Sequence, residues 1–502
     1  MLRTTFLLLM LIAYVASGAQ TNPFQKKFPL VDRYVDSLMK EWNVPGLALG
    51  IVYKDQLIYA KGYGYRDLEN KLPVEPTTVF PIASNTKLFT ATLAAMLATE
   101  GKLSLDKPVR SYMPSLQFYN DELNTYVTLR DMLSHRTGLP RYDGIWIGDT
   151  GTRKSSVSKV VYMRPQLKLR DGYIYNNMMF AASGAAMEAV TGKTWEELTT
   201  EKILQPLGMK STMFSQEDML RQPNFAYSYF ADSNKRLIRN TYLAQSEALG
   251  PAGNLKSNIE DMSRWMIAQL NGGRYKGVQV IPEAAIHQTL IPNAIADREG
   301  KWEEVSNALY GLGRTISMYK GYKITSHTGS IDGYYSNLTF IPSLGLGIFM
   351  VHNGEPGGSY RSAMAYPVID RLLGLAPTPW SQRYRDDYLK AEADAKRKRD
   401  SVNRTQVQGT APSHSLTAYA GAYHHPVYGS IIVETKDNGL LLRFRKQVMP
   451  LLHFHYDQFR TLIGEINGQP DYRLHFITNA KGEIGSFTSR LFGEAEVEFV
   501  KQ

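Results

Sequence analysis

The sequence predicts an α/β (α+β) protein: an antiparallel sheet flanked by helices, an all-helical segment inserted into it, and a separate C-terminal all-β, barrel-like unit. Three observations predict it. Short β-type runs stand near both ends of roughly the first 375 residues, and the stretch between them is mostly helical in pattern. The chain after Leu416 is nearly all alternating strand, cut by turns such as Asp437-Asn438-Gly439. The 502 residues, at roughly 100–200 per domain, allow two to four domains.

Taken in order, Met1-Leu2-Arg3, the apolar run Phe6 to Val15 and the small residues Ala16 to Ala19 form a secretory signal pattern over 1–19, with cleavage before Gln20. The apolar run is too short to span a bilayer. Export to the periplasm or medium is therefore expected, with no stable membrane span. Phe28 to Trp42 repeats apolar residues at helical spacing and stops at Val44-Pro45-Gly46. Leu47 to Tyr53 and Leu57 to Tyr63 read as a hairpin around Lys54-Asp55. Ser84 to Thr99 carries one charge, Lys87, and a helix apolar nearly all round belongs inside a protein. Phe180 to Val190 and Asn258 to Leu270 are further helices. Strands return at Tyr322 to His327, Ser336 to Ile341 and Leu346 to His352, before a helix at Ser359 to Leu373. One sheet built from both ends of this region, with a helical insert over about 85–250, satisfies that order. Residues 379–414 read as a charged helix and linker, and 415–502 as the small β unit.

Composition narrows the chemistry. The chain has no cysteine, which excludes disulfides, thiolate metal sites and a cysteine nucleophile. Its 57 Lys+Arg against 47 Asp+Glu give +10, part of it concentrated in Lys396-Arg397-Lys398-Arg399. Beside a signal peptide, that run reads as a solvated helix face and no nucleic-acid partner is expected. The histidines of the C-terminal unit (His424, His425, His453, His455, His475) lack carboxylates at ligand spacing, so neither a metal nor a cofactor is expected.

The sequence has no G-x-S-x-G, no H-E-x-x-H and no complete phosphate or dinucleotide loop. It has S-x-x-K five times, at Ser37, Ser84, Ser104, Ser156 and Ser317. Ser37 falls within the first amphipathic helix, Ser104 in a charged loop, Ser156 in a polar, basic stretch and Ser317 in a β-like run. Only Ser84-Asn85-Thr86-Lys87 opens a buried apolar helix. Side chains three apart there share a face, the helix start carries partial positive charge, and a lysine in apolar surroundings resists protonation. A helix-capping serine beside a snorkelling lysine would give the same four letters.

Two more elements add context: Tyr175-Asn176-Asn177, which opens the apolar segment 178–190, and His327-Thr328-Gly329-Ser330, which ends a strand. In order and placement, Ser84/Lys87, Tyr175/Asn177 and His327-Thr328-Gly329 resemble the three motifs of the class C β-lactamase, DD-peptidase and D-aminopeptidase superfamily. The resemblance spans roughly residues 30–375 and includes Asn43-Val44-Pro45-Gly46, Ser134-His135-Arg136-Thr137-Gly138 and Gly250-Pro251-Ala252-Gly253. It implies a hydrolase unit over 20–378, with Ser84 as the acyl-enzyme nucleophile and with Lys87 and Tyr175 sharing the proton transfers. It also implies that Asn177 bonds Lys87 and the substrate, that the Ser84 and Ser330 N–H groups hold the oxyanion, and that the motif strand 327–330 lies at a sheet edge. His327 stands where β-lactamases of this class carry lysine. A largely neutral histidine binds a carboxylate weakly, which disfavours penicillin hydrolysis, and the resemblance of His-Thr-Gly to the D-peptidase and D-aminopeptidase branches implies peptides containing D-amino acids, including cell-wall-derived ones. An esterase, a β-lactamase and a non-catalytic scaffold of the same fold remain open, as does a homo-oligomer. The loop residue His135 is expected to fix its loop by hydrogen bonding. The C-terminal unit resembles the lipocalin-like domains appended to some of these enzymes; a hydrophobic-ligand site inside it is a further reading.

Overall fold

A computed structural model describes residues 22–502 except 233, 242–245, 356, 446, 462–471 and 492–495. The signal segment 1–19 lies outside the described residues. Helix α1 (Phe28–Trp42) buries Phe28, Val31, Val35, Leu38, Met39 and Trp42, a spacing that makes one continuous apolar face. Asn43 ends it in the left-handed conformation at φ 55°. Strands β1 (Gly46–Tyr53), β2 (Gln56–Asp67) and β3 (Leu72–Pro73) follow as a meander.

Two short strands, Phe80–Pro81 and Lys256–Ser257, pair antiparallel, so the chain leaves for the helical region and returns from it at one place. Within that region α2 (Thr86–Thr99) is buried from Thr86 to Leu97, as a sequence apolar nearly all round apart from Lys87 requires. Beside it lies α3 (Asn177–Thr191), and α4 (Ile259–Leu270) follows on the return path. Phe89 of α2 stacks on Trp265 of α4 at 3.9 Å. Then come α5 (Glu283–Leu290) and strands β4 (Ala294–Asp297), β5 (Ala308–Tyr310), β6 (Thr315–Tyr319), β7 (Tyr322–Ile331), β8 (Tyr334–Ile341) and β9 (Leu346–His352). The nine strands form one sheet in the order β4-β5-β6-β7-β8-β9-β1-β2-β3. Both ends of the region therefore build one sheet, as the pattern predicts.

Strand β1 is buried over all but its last residue because both of its faces are covered. Leu47, Leu49 and Ile51 join the core under α1 and α6 (Gly357–Leu373), while Ala48 and Val52 join the core beneath α4. This is period-two alternation between two cores.

Strand β7 differs from expectation. It is fourth of nine in order and not an edge strand. Its partner β6 reaches only Thr315, opposite Ser326. Residues 311–314 leave the sheet to bond elsewhere, with the Leu312 and Gly313 N–H groups donating to the carbonyls of Thr289 and Leu133, both at 3.2 Å. From His327 onward β7 pairs only with β8, so one side of that half is an open edge inside the sheet.

Helix α7 (Trp380–Asn403) packs through Trp380 and carries an exposed second half. Eight strands then form a closed barrel: β10 (Gly421–His425), β11 (Gly429–Lys436), β12 (Gly439–Phe444), β13 (Gln447–His455), β14 (Gln458–Thr461), β15 (Arg473–Thr478), β16 (Ile484–Ser489) and β17 (Val497–Lys501). Closure comes from β10 against β17, through Tyr423↔Lys501 and His424↔Val500. Tyr419, Tyr423, Phe459, Phe476 and Phe487 are buried against one another with ring centroids 5.0–5.7 Å apart, so aromatic rings fill this interior.

Candidate active site

The turn that carries Ser84 is set by backbone. Ala83 takes φ 49°, which an alanine adopts only under constraint, and Ala83–Asn85 is a single 3-10 turn feeding α2. Asn85 Nδ2 donates to Ser336 Oγ and Ser336 Oγ–H donates to the Ile82 carbonyl, each at 2.7 Å. The turn is thereby tied to β8. Strand β7 crosses the same turn: a Cβ on Gly329 would sit 2.3 Å from the Ile82 oxygen and 2.4 Å from Ser336 Oγ. Only glycine permits that approach.

Lys87 is fully buried one helical turn into the chain. Its Nζ lies 3.0 Å from Ser84 Oγ, 2.8 Å from Asn177 Oδ1 and 2.7 Å from the Ala252 carbonyl. The last contact depends on close packing, because a Cβ on Gly184 of α3 would meet Pro251 at 2.3 Å, and Thr90 holds the Pro251 carbonyl at 2.6 Å. Burial first, and the nearby Arg141 cation second, hold the Lys87 amine well below its ordinary value, against a smaller opposing pull from Asp143. The Tyr175 hydroxyl hydrogen-bonds Ser84, and burial keeps that phenol above its usual range.

Helix α3 starts at Asn177, capped by Asn176, whose side chain accepts from the Met179 N–H. Asn176 Nδ2 also donates to the carbonyls of Leu139 (3.2 Å) and Pro140 (2.6 Å). His135 accepts the Asn176 N–H on Nδ1 at 3.1 Å, which puts its proton on Nε2 among the rings of Tyr175, Phe180 and Tyr310. His135 thereby ties its loop to the start of α3. Asn177 Nδ2 donates to Asp143 Oδ1 at 2.9 Å, and Arg141 pairs with Asp143 at 2.7 Å while lying 5.1 Å over the Tyr175 ring. A line of polar contacts therefore runs from Asp143 through Asn177 and Lys87 to Ser84.

His327 is buried with both ring nitrogens engaged. Nδ1 lies 2.7 Å from the Thr328 carbonyl, so it carries the proton, and Nε2 accepts from the Tyr310 hydroxyl at 2.9 Å. Burial above all holds the imidazole down to about 3. It is thus a neutral, satisfied group, and the structure leaves it no nitrogen for a carboxylate. Thr328 and Ser330 alternate to the exposed face, opposite His327 and Gly329. The cation at this end is Arg361 of α6, whose Nη1 donates to the Gly329 carbonyl (2.7 Å) and Ser330 Oγ (2.8 Å).

Ser84, Lys87, Tyr175 and Asn177 therefore converge, Gly329 packs on their turn, and Thr328 and Ser330 flank it. Among the other S-x-x-K serines, Ser156 is buried within the helix Arg153–Val157 and bonds Asp149 at 2.8 Å. Asp143, Arg141 and Arg361 had no readable motif. Ala252 lies in Gly250-Pro251-Ala252-Gly253, but a backbone acceptor leaves no residue-type signature. Among the described residues no group of three or more His, Asp or Glu side chains is arranged to hold a metal ion, and no helix is long and apolar enough to cross a membrane.

A nine-stranded antiparallel sheet, a helical region set into it and a Ser–Lys pair at their junction define the β-lactamase/transpeptidase-like class of serine hydrolases. Residues 31–372 match the profile of the Beta-lactamase family, and the chain belongs to that family. Residues 405–502 match a domain of unknown function, DUF3471. An unguisins hydrolase of Aspergillus campestris is 29% identical over 442 residues, covering 85% of this chain and 80% of its own. Protein flp of Staphylococcus aureus is 26% identical over 341 residues, covering 66% of this chain and 64% of its own. Among solved structures, an octameric penicillin-binding protein homologue from Pyrococcus abyssi superposes with TM-score 0.62 at 23% identity, covering 94% of this chain and 100% of that one.

Proposed function

We propose that the protein is an exported serine hydrolase that cleaves amide bonds in small peptides containing D-amino acids through an acyl-enzyme on Ser84. The observation that carries the chemistry is the hydrogen bonding around Lys87. A neutral amine has two N–H groups and one lone pair. The Ala252 carbonyl and Asn177 Oδ1 can only accept, so they take both N–H groups. The lone pair then faces Ser84 Oγ at 3.0 Å, and the Tyr175 hydroxyl hydrogen-bonds the same serine. Lys87 receives the Ser84 proton as Oγ bonds the carbonyl carbon. Tyr175 gives a proton to the departing nitrogen as the C–N bond breaks, and the Lys87 proton replaces it. Water then enters by the same route reversed, releasing the acid and Ser84. The Ser84 and Ser330 N–H groups are assigned to the oxyanion, each donor lowering the barrier by about 3–4 kcal/mol.

The substrate class rests on what is missing from the motif strand. With His327 neutral and occupied, the lysine clamp of the β-lactamases has no counterpart at that position, and Arg361 supplies a cation beside Ser330. The related unguisins hydrolase is in keeping with a hydrolytic reaction. Neutrality at His327 also suits an uncharged ester, which makes an esterase the second reading. Cell-wall-derived peptides and self-association belong to the same proposal.

Mass spectrometry after exposure to a fluorophosphonate tests the nucleophile: one adduct on Ser84, absent from Ser84→Ala, is expected, and equal labelling of both proteins overturns the assignment. A panel of D- and L-aminoacyl anilides and esters then separates the two readings, with preferential D-anilide turnover expected.

A further inference from the structure

The barrel touches the line of contacts that ends at Lys87. At the β12–β13 turn, Arg445 reaches across to residues 145–147 of the hydrolase unit. Its Nη2 donates to the Ile145 carbonyl at 3.1 Å and its Nη1 to the Ile147 carbonyl. Those carbonyls lie at the C-terminal end of the 3-10 turn Asp143–Ile145, where helical oxygens lack partners along the chain. The first residue of that turn is Asp143, which holds Asn177 Nδ2 at 2.9 Å and the Trp146 indole at 3.0 Å.

A second barrel turn meets the same segment. Tyr428, between β10 and β11, stacks on Tyr142 with centroids 6.2 Å apart and planes at 27°. Tyr142 and Arg445 both take left-handed backbone, at φ 47° and 54°, a conformation that non-glycine residues keep only where the surroundings impose it. Ile145 and Trp146 share one continuous apolar core with the barrel's own buried side chains.

We propose that Arg445 is a positioning residue for the Ser84 reaction: the barrel pins the 143–147 turn, and the turn, through Asp143 and Asn177, sets Lys87. The proposal rests on the reading of Lys87 as the proton acceptor. The charged and titratable groups around Lys87 are Arg141, Asp143, His135, His327 and Tyr175. Arg141 pairs with Asp143, which belongs to the pinned turn. Loosening it admits water to the amine and relieves the burial that dominates its shift, so protonation becomes easier.

The test uses the full chain, p-nitrophenyl acetate turnover and the rate of fluorophosphonate labelling, in Arg445→Ala and Arg445→Lys. Arg445→Ala is expected to lower kcat/KM by roughly 10- to 100-fold, as for a misplaced catalytic group. Its acid limb should move to higher pH while KM changes little. Arg445→Lys, which keeps the cation but loses the planar fork of two guanidinium nitrogens, should recover part of the loss. A lowered melting temperature with wild-type kcat/KM and an unmoved pH limb overturns the proposal. Should Arg445→Ala fail to fold, Tyr428→Ala is read by the same criteria. Ser84→Ala separates the two levels: if it turns over substrate normally, the assignment of the site falls; if it is inactive while Arg445→Ala matches wild type, only the coupling to the barrel falls.

Discussion

The imidazole Nε2 of His327 lies 2.9 Å from the hydroxyl of Tyr310. That contact, with Nδ1–H given to the Thr328 carbonyl, makes the first residue of the motif strand a neutral buried group. Its place is held by Tyr310, seventeen residues upstream on β5.

One consequence concerns pH and stability. Burial holds His327, and likewise His352, at about 3. An unfolded chain protonates both near the ordinary 6.5. The folding stability linked to them is fully present above about pH 6.5 and is lost as the pH falls toward 3, at roughly 1.4 kcal/mol per pH unit for each. Urea titrations between pH 4 and 8 should show that slope, to which the buried His135 and His425 add in the same direction, and His352→Phe should flatten it by about 1.4 kcal/mol per pH unit. A slope unchanged in that variant contradicts it.

Lys87→Arg keeps a cation but removes the lone pair, because guanidinium stays protonated. Loss of a general base costs about 10²- to 10⁴-fold in rate, and kcat/KM in Lys87→Arg should fall by that much. The wild-type profile should rise with pH along a limb lying well below 10.5, the direction in which burial moves Lys87. A Lys87→Arg enzyme within threefold of wild type would falsify the assignment.

Tyr175→Phe keeps the ring against His135 and removes the proton donor. A nitrophenolate departs without a proton and an aliphatic amine does not. The variant should lose about 10²- to 10⁴-fold on amides and clearly less on p-nitrophenyl esters, as measured by parallel steady-state kinetics. Equal losses on both would assign Tyr175 to binding instead.

Gly329→Ala places a methyl group within 2.3 Å of the Ile82 oxygen and 3.0 Å of Ala83 Cβ. Strand and nucleophile turn must then separate. Overpacking of this kind costs about 1–3 kcal/mol, so the melting temperature should drop modestly. Fluorophosphonate labelling of Ser84 should slow far more than that loss of stability accounts for.

Much of this architecture was legible along the chain because its signals are local. The uncharged run around Lys87 demanded a central helix, and α2 is buried from Thr86 to Leu97. Apolar spacing marked α1, and alternation after Leu416 marked the barrel. Ser84 and Lys87 share a helix face by spacing alone. The strand 327–330 was expected at a sheet edge, and it lies inside the sheet with one open side, because β6 stops opposite Ser326. No pattern within the strand itself reports the length of its neighbour.

By itself the sequence determined the elements, the residue types at the nucleophile and the exclusion of cysteine chemistry, since these follow from nearest neighbours and helical or strand periodicity. Only the tertiary structure decided the protonation states and partners. Lys87 is held by Asn177 and Ala252, 90 and 165 residues away, Asn177 is tied back to Asp143, and Arg445 of the barrel grips the same turn from 300 residues beyond Ile145. Burial, carbonyl acceptors and long-range charge depend on how elements pack against one another, and a backbone oxygen carries no identity in a sequence.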